Sequence, residues 1–143
     1  MKTKNFLVTW GLTFVLVFGL NGVFHSGIAA PFFDNNLQSI ASVKKMKDSN
    51  PLPVALLDLI IVFTMTYLIT NNKPSKIKIA EGAIAGGLIN LATSGAWNLA
   101  NTAMFDWPLT VTLGDMAWHT ALDCAGGSFI AWMYNKRALK NAV

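Results

Sequence analysis

The chain has 143 residues, enough for one compact unit, and 53% of them are hydrophobic. Only 13% are charged, against roughly 25% in an average soluble domain, so the composition points to an integral membrane protein. The net charge of +4 then reflects topology and contact with anionic lipid, not a nucleic-acid surface, and the single Cys124 excludes an intrachain disulfide, a CxxC redox pair and a cysteine-based zinc site.

Lys2 and Lys4 give a short basic start. Phe6 to Ala30 is a continuous apolar run, longer than the ~7–15 residues of a signal core, and Pro31 follows the only good cleavage point. It reads as a first span. Phe32, Phe33, Leu37, Ile40 and Val43 then keep helical spacing ahead of Lys44, Lys45 and Lys47. That pattern fits an amphipathic helix on the membrane surface over about 32–46, or an ordered loop. Ser49-Asn50-Pro51 punctuates the chain, and Pro53 to Thr70, with Asp58 inside it, forms a second span.

A lysine-rich turn, Lys73 to Lys78, leads into a third span from Ile79 to about Ala103. Its first half is small and apolar, with Gly82 and Gly86 at GxxxG spacing. Such spacing permits close helix contact, within the chain first and between copies second. Its second half carries Asn90, Thr93, Ser94, Asn98 and Asn101 beside Trp97. Pro108 opens a fourth span, about 108–134, with Asp115, His119 and Asp123 four residues apart on one stripe. Trp118 and Trp132 fit helix packing or lipid contact, and Trp10 and Trp107 fit interfaces.

These elements predict an all-α, integral membrane, antiparallel four-helix bundle: one domain with spans at about 6–30, 53–70, 79–103 and 108–134. Four spans put the N-terminus, the 71–78 turn and the tail with Lys136, Arg137 and Lys140 on one side. That side holds eight Lys or Arg, and the other holds Lys44, Lys45 and Lys47. The positive-inside rule therefore predicts a multi-pass inner-membrane protein with both termini cytoplasmic. At ~1.5 Å rise per residue, Asp58, Asn98 and His25 fall roughly 7 Å below the outer boundary, Asp115 about 10 Å and Asn21 near 13 Å, with His119 near mid-membrane. All four helices thus bring polar groups to one level, which predicts a shared polar centre of Asn21, Asp58, Asn98, Asn101, Asp115, Trp118 and His119. Asp123 lies lower, facing Asn90 or Thr93.

Ionisable groups inside spans are costly and mark function or a specific partner. A structural hydrogen-bond cluster, in a protein that supports a larger membrane complex or a homo-oligomer, fits these residues. So does a divalent-metal site built from His25, His119, Asp58 and Asp115, an N/O ligand set. Proton or small-solute movement along the Asp115–His119–Asp123 stripe is the third possibility. Membrane enzymology is the remaining possibility, but no HExxH, nucleophile elbow or phosphate loop is present and an acid–base pair alone does not define a reaction, so the sequence names no catalytic residue. Beyond the bilayer no partner is specified, and a divalent metal is the one cofactor the residues suggest.

The stretch from Trp97 to Leu122 carries an aromatic followed by Asn98-Leu99-Ala100-Asn101, a Trp107-Pro108 turn, and Asp115-x-x-Trp118. It resembles a family of small four-helix bacterial predicted membrane proteins of unknown function. In that family's pattern an acid stands at Asn98, Thr at Ala100 and Gly at His119, and Asn21 matches a family Asp more loosely. The resemblance implies four spans and a common role for Asn101, Asp115 and Trp118. It implies no activity.

Overall fold

The computed structural model describes residues 3–38, 40, 48–71 and 76–140, with side chains described to 137. Thr3–Val23 forms α1, and its buried residues Thr9, Thr13, Val17 and Asn21 recur every four residues along one face. At Phe24 the helix widens into one π turn, Phe24–Ile28, where the Ala29 amide reaches the Phe24 carbonyl at 2.7 Å. Two glycines and a serine, Gly22, Ser26 and Gly27, lie at this widening, where helices most readily distort. Helix α2, Ala30–Leu37, follows and buries Phe33 and Leu37.

The Asn50 side chain accepts the Leu52 amide at 3.0 Å, and prolines occupy the first turn of α3, Pro51–Thr70. The third long stretch joins α4, Ile79–Asn90, through a second π turn, Leu91–Gly95, to α5, Ala96–Phe105. Asp106 ends it with φ of 55°, the left-handed region that Asp tolerates better than most residues. The Pro108 carbonyl then accepts the Val111 and Thr112 amides, and α6 runs Leu109–Lys140. The described residues are all-helical or connecting, with no strand among them.

Helix α6 touches every other long helix and packs most extensively on α4. Glycine makes that contact possible. A Cβ on Gly86 would collide with the Asp123 carbonyl, and one on Gly82 or Gly127 would collide with the carbonyl of the other. The GxxxG spacing therefore serves packing within the chain. One apolar core gathers Ile61, Val62, Met65, Ile69, Leu122 and Ile130, and a second, smaller one holds Ala29, Phe33, Leu37 and Val111. Asn135 clamps both backbone groups of Ile77, at 2.9 and 2.7 Å, which fixes the entry to α4 against α6.

Burial is inverted relative to a soluble fold. Thr9, Thr13, Asn21, Asp58, Asn90, Asn98 and Asp123 are buried, while Val15, Ile60, Ile84, Leu88 and Leu113 are exposed. The buried Thr9, Thr13, Thr66 and Thr70 are satisfied by their own helices, each hydroxyl donating to the carbonyl four residues back. Two helical stretches, Thr3–Ile28 and Pro51–Thr70, are long and apolar enough to cross a membrane. Only 22% and 33% of their apolar windows are buried, unlike the core helices of a soluble domain. Ile79–Phe105 and α6, the expected third and fourth spans, are not among these two stretches, and they carry many of the polar residues of the centre.

The element bounds also differ. The fourth helix runs to Lys140 rather than 134, because nothing interrupts its hydrogen bonding before the tail. The expected surface helix at 32–46 is seen as α2 to Leu37. Residues 39 and 41–47, with Lys44, Lys45 and Lys47, lie outside the described residues.

Candidate functional site

Asp115, one and a half turns into α6, is the hub. Its Oδ1 lies 2.8 Å from His25 Nε2 and 3.6 Å from His119 Nε2, and its Oδ2 accepts the Asn98 amide at 2.7 Å. Spacing accounts for part of this: Asp115 and His119 are one turn apart on the same face, and α5 turns back through Asp106 to set Asn98 against them. His25 comes from the far end of α1, carried on the first π turn. Ligand atoms of His25, Asp115 and His119 all lie within 4.8 Å of one another.

The His25 ring is oriented from behind. Its Nδ1 is 3.2 Å from the Asn21 carbonyl and its Nε2 is 2.8 Å from the Asp115 carboxylate. Both partners only accept, so a neutral ring donates to one of them and a protonated ring to both. A backbone carbonyl behind Nδ1 is the usual way in which a ligating histidine is held. The Asn98 amide does the same for the second carboxylate oxygen.

Asp58 belongs to a neighbouring layer. Its Oδ2 accepts the Asn21 amide at 3.2 Å, and the Asn21 side-chain oxygen accepts the Trp118 indole at 3.3 Å. Trp118 stacks on Phe24 with ring centroids 3.9 Å apart and 9° between planes. One asparagine thus ties α1 to both α3 and α6. The sequence-based metal set included Asp58, but its carboxylate is not among the ligand atoms that lie within 4.8 Å of one another, and it bonds Asn21 instead. Asn101, buried one turn after Asn98, lines the same space. Thr102 and Thr112 share a hydrogen bond that closes the α5–α6 turn.

Asp123 is separate, as its depth indicates. It accepts the Asn90 amide at 3.0 Å, and the Asn90 oxygen accepts the Thr120 hydroxyl at 3.2 Å. Thr93, the other partner considered, faces outward and bonds the Ile89 backbone instead. Trp10 is also not a simple interface residue, since its indole donates to the Leu59 carbonyl at 3.1 Å. Trp107 packs against the smaller core, and Trp132 is exposed with Lys136 over its ring.

The cluster opens onto a cavity of about 690 Å³ between α1, α2, α3, α5 and α6. His25, Asp58, Asn98, Asn101, Asp115 and His119 occupy one part of its wall, and apolar side chains make up most of the rest. Sequence reasoning did not foresee Phe33 and Leu37 of α2 as cavity wall. Their helical spacing was visible, but it indicated a lipid surface equally well. Nor did it foresee the two π turns, whose only signal is clustered Gly, Ser and Thr.

Apolar outer faces around a buried core of amides, carboxylates and histidines suit a membrane protein, because lipid replaces water outside. The family comparison agrees. The model of the family described as Predicted membrane protein (DUF2177) matches residues 6–133, and the chain belongs to that family. No curated protein and no solved structure matches the chain.

Proposed function

We propose that the protein is a four-span inner-membrane protein, with both termini cytoplasmic, that binds a divalent transition metal through His25, Asp115 and His119. The observation that carries this reading is the trio itself: three ligand atoms from two helices within 4.8 Å, with two of the ligands already braced by Asn21 and Asn98. Two imidazoles and a carboxylate suit zinc, iron or manganese and leave positions open on the cavity side. Metal–ligand distances of ~2.0–2.2 Å require ligand atoms to lie ~3–3.5 Å apart, so His119 must turn by about 1 Å on binding. Four helices contributing to one centre, and eight of eleven basic residues on one side, support the span count and orientation.

The test is metal uptake by the full chain in detergent, read by elemental analysis and by the visible spectrum of a cobalt-loaded sample. One equivalent is expected, lost in His25→Ala and in His119→Ala. A folded wild-type protein that takes up no zinc, cobalt or manganese at micromolar concentration would overturn the reading. A second reading, a purely structural lock within a larger complex, is favoured by one observation: no buried side-chain nitrogen or oxygen among the described residues lacks a partner. It predicts that the same variants lower thermal stability while wild type binds no metal.

A further inference from the structure

We infer that the cavity receives a lipid-phase molecule with an uncharged oxygen head, a long-chain alcohol, whose hydroxyl reaches the His25–Asp115–His119 centre. The inference rests on the metal reading above and names the ligand of that same site. The cavity is amphipathic. Phe18, Phe33, Leu37, Val54, Leu57 and Trp97 form apolar wall, and the metal trio with Asp58 forms the polar part. Its volume of about 690 Å³ lies within the range of small-molecule sites, roughly 300–1,000 Å³.

Access is from the side. Val54, Leu57 and Trp97 line the cavity and are also 44%, 49% and 63% exposed, on the apolar outer surface that lipid would cover. A ligand entering there comes from the bilayer, tail and all. Charge selects its head. Among the described residues no lysine or arginine lines the cavity, so these side chains offer an anionic head no cation. A divalent ion on Asp115 would also have the Asp58 carboxylate of the neighbouring layer to offset it, and a further unbalanced charge in a low-dielectric site is expensive. A hydroxyl meets both demands: its oxygen can take an open position on the metal, and its hydrogen can be donated to a carboxylate.

The experiment uses full-length protein in detergent, loaded with zinc, and a bromine-labelled long-chain alcohol that quenches Trp97 fluorescence. Trp97→Phe identifies the signal. Saturable quenching is expected, about tenfold weaker or more after zinc is chelated. Leu57→Trp, which fills the wall away from the metal, should abolish quenching while zinc uptake is unchanged. Labelled fatty acid and alkylammonium of equal length should bind more weakly than the alcohol. The inference is overturned if zinc-loaded protein gives no saturable quenching, if either charged amphiphile binds more tightly, or if chelation leaves the affinity unchanged. Zinc content, measured on the same samples, shows separately whether the metal reading has failed.

Discussion

At the scale of single residues, Asn98 offers the sharpest test of how the centre is held. Its amide donates to Asp115 Oδ2 at 2.7 Å, and leucine would fill similar space with no donor. An oxygen of a half-buried carboxylate would lose its partner, at a cost of about 1–3 kcal/mol. Loss of the brace should also weaken metal binding by about 10–100-fold. Thermal unfolding in detergent and a zinc titration of Asn98→Leu check the two effects, and Asn98→Gln should recover part of both. Asp115, His119, Asn98 and His25 were all legible in the sequence, because helical spacing and depth put them at one level. The separation of Asp58 from the trio was not, since it turns on how α3 packs against α1 and α6. In the pattern the chain resembles, glycine stands at His119, so the proposed third ligand is a feature of this chain rather than of that pattern.

At the scale of helices, the most extensive contact is that of α4 with α6. Gly86 lies against the Asp123 carbonyl, and a methyl there must push the backbones apart. Gly86→Ala should therefore destabilise by about 1–3 kcal/mol, the usual cost of overpacking. Gly19→Ala meets nothing within 4 Å and should stay within about 0.5 kcal/mol. Denaturant or thermal unfolding of the two variants side by side measures the difference, and equal effects would mean that the contact is not tight. A parallel change, Asn135→Ala, removes both bonds to Ile77 and should loosen the entry to α4, read as faster amide exchange at Ile77. The small-residue face was visible as GxxxG spacing. Its partner was not, because Gly127 and the Asp123 carbonyl are matched to it only once α6 is docked. The π turns escaped for a related reason: a shift from four-residue to five-residue hydrogen bonding leaves helical periodicity almost unchanged over so short a run.

At the scale of the whole molecule, orientation in the bilayer is set by charge and not by the fold. Helix number came from hydropathy, yet α6 and the α4–α5 stretch are less apolar than α1 and α3. In the proposed four-span arrangement their polar residues are sheltered by the other helices, and exposed apolar side chains such as Ile84, Leu88 and Leu113 would face lipid. Under the proposed orientation, Asn36 near the end of α2 lies outside, and Lys76 before α4 lies in the cytoplasm with the C-terminal tail. Cysteine introduced at each position in a Cys124→Ala background reports this directly. A membrane-impermeant maleimide on intact cells should label Asn36→Cys and leave Lys76→Cys unlabelled until the membrane is opened. If Lys76→Cys is labelled first, the positive-inside assignment is inverted, and the polar centre opens towards the cytoplasm. If both are labelled on intact cells, α3 does not cross the bilayer as a single span, and the four-span arrangement itself must be given up.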